Sequence, residues 1–411
     1  MRAAIRHLMR NRRRTILTLL AVLIPVYFLV IMFGFANANL RDMFDTATRF
    51  DTGHMQIRAV DARATGSATP LMRDPADALA ALATVEGITW STVRLDLPAL
   101  ASVDERSQAI YVRGVIPEEI EPISNMADRI VAGAFLTGRS TGVLVGEELA
   151  ELLKIEIGDD MVLLGAHPDA SLGAIRAPVV GIYNAPETTI GRTVVYVSLD
   201  TARQLARSAT AATSIVIRVD GVTGPWNRGA IDRAVTDLRA VLPAGYEVQD
   251  WLELLPMIST YMGILTPALL LMGVIFFALG ALVVMNTIYL SVMERTRELG
   301  LIISLGATRS RVIGMILAEA GLIAVAGAVY GVVVGVGLIL IIEAFGGIPL
   351  WGSAAEMLKT IGMAPVLHLS INVGQVLLSA FAMAVVAVLA AWLPARRASK
   401  LEPVEAMRYV E

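Results

Sequence analysis

The chain has 411 residues, 55% hydrophobic and 17% charged, where an ordinary soluble domain carries about a quarter charged. Its formal net charge is −3 and it has no cysteine, which excludes disulfides, thiolate metal sites and cysteine nucleophiles. The apolar excess is gathered into four blocks, the pattern of membrane spans rather than of one large soluble core.

Residues 1–14, MRAAIRHLMRNRRR, set Arg2, Arg6, Arg10 and Arg13 at helical spacing and Ile5, Leu8 and Met9 on another face. This predicts a short cytoplasmic amphipathic helix lying on the membrane surface. A nucleic-acid-binding arm is the alternative; the lack of interleaved aromatics and the adjoining apolar block set it aside. Residues 15–36 then run 22 positions without a charge, roughly 33 Å as a helix and enough to cross a bilayer. The stretch exceeds the apolar core of a cleaved signal and ends in no small-x-small site, so it reads as the first span, assigned to 15–39.

Residues 40–250 alternate strand-like runs with helix and turn signals. The segments 54–59, 109–115, 161–165, 177–183, 193–199 and 214–219 read as strands, and 74–85, 146–155 and 199–208 as helices. They predict a mixed α+β extracytoplasmic domain, in one or two subdomains, inserted between the first two spans. Residues 251–293 hold the second span and a stalk before it, in which Leu252, Leu255, Ile258 and Met262 recur every three or four positions. A helix continuous through both would act as a lever; tilt from excess length is the alternative.

Residues 294–311 follow, and ERTRELGLIISLGATRSRV (294–312) crowds six charges between two apolar blocks. Gly306 reads as a helix stop and Thr308 as the next helix start. Glu294 and Glu298 share a face, with Arg295 and Arg297 beside them. A solvated loop needs neither the acids nor the apolar run, so the segment suits docking into a groove on another protein.

The third span, 312–343, repeats Ala320, Ala324 and Ala328, and Gly327, Gly331 and Gly335, every fourth residue. Small residues at this spacing let helix backbones approach, here against another span of this chain or of a second copy; a substrate path along the stripe is the alternative. Glu319 and Asn286 are polar residues near or within spans, and the sequence assigns them no role. Residues 344–372 form a loop, 373–394 the fourth span and 395–411 a tail. Basic residues gather before span one, between spans two and three (Arg295, Arg297, Arg309, Arg311) and after span four (Arg396, Arg397, Lys400). The positive-inside rule puts these three regions in the cytoplasm, and the large domain and residues 344–372 on the outer side.

An enzyme reading finds little support. The histidines His7, His54, His167 and His368 are scattered and form no HExxH. No G-x-S-x-G nucleophile elbow is read in the chain. Lys154, Lys359 and Lys400 are the only lysines and none follows a glycine, so there is no P-loop and any ATP-driven energy must come from another chain.

The segment 294–320 resembles the motif after the second span of MacB/FtsX-type ABC-transporter permeases. PARRASKLEPVEAMR (394–408), with Pro394, Arg396, Arg397 and Pro403, resembles that family's ending, and 142–164 and 179–205 resemble its outer domain. The apolar LIISLGA departs from a run that is often more polar in the family. The resemblance implies a non-catalytic permease subunit in the bacterial inner membrane, with no cofactor of its own. ATP and Mg would be held by a separate ABC ATPase dimer. It implies a coupling helix that contacts that ATPase through Glu294, Arg295, Arg297, Glu298, Leu299, Gly300, Gly306 and Ala307, and a second permease chain, identical or related. Membrane lipids are expected partners; nucleic acid is not. Length and the absent ATPase look most like lipoprotein-releasing (LolC/LolE-type) permeases, which implies a periplasmic lipoprotein carrier as partner; the loop 165–177 lies where such permeases carry a carrier-contacting hairpin, and an ordinary hairpin tip is the alternative. A MacB-like exporter working with an adaptor, or an FtsX-like regulator of cell-wall hydrolases, is the alternative.

Overall fold

A computed structural model describes residues 12–60, 71, 72, 74–138, 140–166, 172–185, 188–353, 355 and 366–399. The amphipathic helix expected at 1–14 lies outside them up to residue 11, as do residues 167–171 of the expected carrier loop and the tail from Lys400 on, with Pro403. The chain forms two compact units, Met1–Asn39, Tyr261–Ile348 and Leu367–Glu411 in one, and Leu40–Thr260 and Pro349–Val366 in the other.

Helix α1 (Arg12–Phe50) begins at the arginines before the first apolar block, runs through it and continues past the span end assigned at 39. Its last turn closes with Asp51 and Thr52 both donating to the Ala47 carbonyl, at 2.9 and 2.8 Å. Gly53 then turns the chain at φ +63°, where a Cβ would stand 2.6 Å from Val216 Cγ1 and 2.8 Å from the Ile217 carbonyl. Only glycine fits so close an approach at positive φ.

The second unit is built on one mixed sheet of β1 (Met55–Ala59), β2 (Ile88–Val103), β3 (Arg106–Val115), β4 (Ile130–Gly133), β5 (Val143–Gly146), β6 (Asp160–Ala166), β7 (Leu172–Tyr183), β8 (Val194–Ser198), β9 (Ser214–Val219) and β10 (Tyr246–Asp250). The order is β10-β1-β9-β2-β3-β8-β5-β7-β4, with β6 pairing β2 and β7. Strand β2 joins the two halves: Ile88–Arg94 pairs with β9, and Leu95–Val103 pairs with β3. Pairs β3–β8 and β5–β7 are parallel and the rest antiparallel. Helices α2 (Ala76–Leu82), α3 (Pro117–Ser124), α4 (Glu147–Leu153), α5 (Thr188–Thr193), α6 (Leu199–Leu205) and α7 (Gly229–Val241) complete the domain. Phe50, from the end of α1, is buried with Val115, Leu144, Tyr183 and Tyr196. The sheet shows why some elements escaped sequence reading. Strand β2 carries Arg94, Asp96 and Pro98, which interrupt its alternation, and β5 is four residues long.

His54, just before β1, is buried beside the Phe44 ring at 5.7 Å, and its Nδ1 accepts from Val219 N at 3.0 Å. Burial, and then the charge of Arg218, push its pKa down from 6.5 to about 4. The unfolded chain therefore takes up a proton between these values that the folded chain refuses. This contribution is full above pH 6.5, falls as pH drops, and is spent near pH 4. Over pH 7 to 4.5 the domain should lose roughly 2–3 kcal/mol more than a His54→Gln variant. Urea midpoints at the two pH values read the difference, and parallel pH profiles would contradict it.

The stalk differs from its sequence reading. Gln249 and Asp250 belong to β10, and helix α8 (Trp251–Leu254) is a separate turn. Asp250 Oδ1 accepts from Leu252 N at 3.0 Å and Glu253 N at 2.9 Å, while Glu253 Oε2 accepts from Asp250 N at 3.3 Å. This reciprocal cap starts α8. Leu255 leaves helical geometry at φ −122°, ψ 73°, as a residue before proline tends to do, and Pro256 opens helix α9 (Pro256–Glu294).

Helices α10 (Thr296–Ser304), α11 (Arg309–Ala344) and α12 (Val373–Ala398) follow. The four helices α1, α9, α11 and α12 are long and apolar enough to cross a membrane. In the first unit Val22, Val26 and Val30, Val284 and Ile288, Ala320, Ala324 and Ala328, and Met383, Ala387 and Ala391 belong to one apolar core.

Candidate functional site

Helix α10 is the chain between the second and third membrane-length helices. Its residues Thr296, Leu299 and Gly300 are buried and Ile303 packs on the same core, a spacing of three, four and seven that lines one helical face. The opposite side is open: Arg297 and Glu298 are exposed, with Leu301, Ile302 and Leu305, the last at 79%. Gly306 ends the helix at φ +94°. The Gly306 N–H donates to Ile303 O at 3.0 Å and Ala307 N–H to Ile302 O at 3.2 Å, the paired bonds of a Schellman cap. Thr308 stands at the N-cap of α11 in extended geometry, its side chain making no cap bond.

The eight residues expected to form one contact surface therefore divide. Glu294, Arg297, Glu298 and Gly306 are exposed, Ala307 is half-buried, and Leu299 and Gly300 face inward. Arg295 breaks the helix between α9 and α10 and turns its guanidinium to Glu319 of α11, Nη1 donating to Oε2 at 3.0 Å. Leu301, Ile302 and Leu305 belong to the apolar run that already pointed to docking, but they were not singled out as contact residues; their three- and four-residue spacing was the available signal.

On α11 the glycines face α1 of the same chain. A Cβ at Gly327 would stand 2.8 Å from Val22 Cβ, at Gly331 2.8 Å from Leu23 O and 2.9 Å from Val26 Cβ, and at Gly335 2.9 Å from Val30 Cγ1. Glycines on one helix and valines on the other both recur at i, i+4, so the two backbones interlock over two turns. Ala320, Ala324 and Ala328 are buried in the same core. Asn286 is exposed on α9. At the end of α12, Pro394 is buried within the helix, which runs on to Ala398. Arg396 and Arg397 are exposed, the former 5.4 Å over the Trp392 ring.

Sequence reading also passed over Gly-Arg-Ser-Thr-Gly at 138–142, which matches the G-x-S-x-G pattern. It precedes β5, and there Ser140 Oγ accepts from Gly142 N at 3.0 Å. A nucleophile elbow requires a strand-to-helix junction, so this is not one. Among the described residues no group of His, Asp and Glu is arranged to hold a metal.

Four membrane-length helices, a large α/β domain inserted after the first, and an amphipathic elbow between the second and third define a membrane protein of the permease class. A family model described as the MacB-like periplasmic core domain matches residues 15–227, and one described as FtsX-like permease C-terminal matches 270–403. The chain is 27% identical over 330 residues to the lipoprotein-releasing system transmembrane protein LolC of Xylella fastidiosa, with 74% of each chain covered. It is 33% identical over 139 residues to the macrolide export ATP-binding/permease protein MacB of Escherichia coli K12, covering 34% of this chain and 19% of that one. The periplasmic region of MacB from Actinobacillus actinomycetemcomitans matches 50% of this chain and 92% of its own, at 13% identity and a TM-score of 0.36. The chain belongs to the MacB/FtsX/LolC family of ABC-transporter permeases.

Proposed function

We propose that this permease couples a separate ABC ATPase dimer to release of lipoproteins from the outer leaflet of the inner membrane, working with a second permease chain. The termini and α10 lie in the cytoplasm and the α/β domain in the periplasm. The observation that carries the reading is the open face of α10: Leu301, Ile302 and Leu305 exposed together, rimmed by Arg297 and Glu298. A capped amphipathic helix with an apolar stripe and a charged rim fits a hydrophobic groove on a partner. Arginines in α10 and at the end of α12 fit a cytoplasmic placement. The lipoprotein cargo is supported by the match to LolC, which spans 74% of both chains, where the match to the MacB of Escherichia coli covers 34% of this one.

The test is copurification of the tagged full chain from mild detergent, comparing wild type with Leu301→Glu/Leu305→Glu. The ATPase should accompany wild type and be lost from the variant, because two buried carboxylates at an apolar contact cost several kcal/mol, enough for a loss of at least ~100-fold in affinity. Acylated proteins in the wild-type preparation would support lipoprotein release; an adaptor or a cell-wall hydrolase in their place would overturn that cargo. If wild type brings down no ATPase, the docking reading fails.

A further inference from the structure

Arg295 and Glu319 are left unexplained by a docking surface. Glu319 lies on α11, ten residues past its first residue Arg309, about 15 Å along the axis, where an isolated carboxylate is expensive in a membrane. Its side chain is 11% exposed and that of Arg295 is 18%. The guanidinium joins three segments at once. Arg295 sits in the break between α9 and α10, at φ −110°, ψ 16°. Its Nη1 reaches Glu319 Oε2 at 3.0 Å, and its Nε reaches Glu298 Oε2, one turn into α10, at 3.4 Å. Thr296 closes the same corner, its Oγ1 donating to Met293 O at 2.7 Å. A helix broken at one residue, with no proline or glycine at the break, needs something else to define the angle across it.

We infer that Arg295 is a positioning residue: its ion pair with Glu319 latches the elbow between α9 and α10 onto α11 and so sets the angle at which α10 is presented. This rests on the reading of α10 as the ATPase dock, but the geometry of the latch is measurable without any ATPase. The pair is worth most where water is scarce, since Coulomb attraction at 3 Å strengthens as the local dielectric falls. Removing one partner strands the other as an uncompensated, largely buried charge. The elbow then has two ways to respond: α10 swings to carry Arg295 toward water, or α11 shifts to hydrate Glu319. Either changes the angle.

The absence of cysteine makes the test direct. Spin labels are placed on the full chain in nanodiscs at Ser304→Cys on α10 and Leu393→Cys on α12, both exposed, and their distance distribution is measured by electron paramagnetic resonance. The unsubstituted elbow should give one narrow distribution. Glu319→Gln, close in shape but uncharged, should broaden or split it. Arg295→Glu should do so more strongly, and the exchanged pair Arg295→Glu/Glu319→Arg should recover a single distribution. Arg295→Lys should recover part, since it keeps the charge and loses the fork. Helix content by circular dichroism guards against plain misfolding, and a variant that fails it is replaced by Arg295→Gln. An unchanged distribution in Glu319→Gln overturns the latch. So does an exchanged pair no narrower than its single variants, which would make Arg295 a contact for the partner. Recovery in the exchanged pair, with no ATPase captured by wild type, would leave the latch standing and remove only the docking reading.

Discussion

Gly331→Val should destabilise the helical unit severely, whereas Gly337→Ala, six residues along the same helix, should be neutral or slightly stabilising. At Gly331 an added Cβ meets the Leu23 carbonyl oxygen at 2.8 Å and Val26 Cβ at 2.9 Å; at Gly337 it meets nothing within 4 Å. The atoms facing Gly331 cannot move aside. One is backbone, and the other is the branch point of a β-branched side chain with essentially one rotamer in a helix. Relief therefore requires moving α1 as a body. Overpacking of this kind typically costs ~1–3 kcal/mol and occasionally more; alanine should fall within that range and valine at or above its top. At Gly337 the same change from glycine to alanine gains helix propensity, up to ~1 kcal/mol in a soluble helix. The contrast in sign is the test, read as thermal midpoints of the detergent-solubilised chain by circular dichroism. Equal midpoints for Gly331→Ala and Gly337→Ala would show that the glycines do not lie against α1.

How legible this was from sequence varied with the range of the interaction. Long uncharged blocks announce spans because water and lipid sort residues by hydropathy alone, whatever the partner helix. Strands such as 214–219, and the helix expected at 199–208 and found at Leu199–Leu205, were legible because their periodicity is local. The small-residue stripe declared that α11 packs closely but not against what; Val22, Val26 and Val30 lie some 300 residues earlier and look like ordinary span residues. Leu299 and Gly300 looked like part of a contact surface and proved inward-facing, because a helix of nine residues shows too few turns to mark its faces without the neighbours that cover one of them. Arg295 looked like one of four equivalent charges. What separates it from Arg297 is a carboxylate 24 residues away. Similarly Asp51, Arg94, Asp96 and Arg113, separated by up to 62 positions, carry no mark in the sequence that they meet, although three of them are largely buried.

Those four residues give the largest expected effect in the α/β domain: Asp96→Ala should remove about 3–5 kcal/mol, the cost of breaking a buried ion pair from one side. Asp96 lies between two guanidiniums, Oδ1 2.8 Å from Arg113 Nε and Oδ2 3.0 Å from Arg94 Nε. Burial alone would raise its pKa; Arg113 and Arg94 outweigh that and hold it below the usual carboxylate range. Its charge therefore contributes stability above the ordinary carboxylate pKa, and loses it as pH falls through the depressed one. Arg113 also reaches Asp51 Oδ1 at 2.9 Å and donates to Phe50 O at 3.3 Å, and Arg94 donates to Asp51 O. The last carbonyls of a helix lack intrahelical donors and carry the negative end of its dipole, so two cations from β2 and β3 satisfy the end of α1 while binding the strands together. Asp51→Ala should cost far less, about 1 kcal/mol or below, because its side chain is 33% exposed and Arg113 keeps Asp96. Urea unfolding followed by tryptophan emission ranks the two variants, with Trp251 buried in the domain as reporter. Equal losses would mean that Asp96 is no better sheltered than Asp51. A large loss confined to Asp96 would mean that Asp96 holds the two arginines in place, and through them the end of α1 at Phe50 and Asp51.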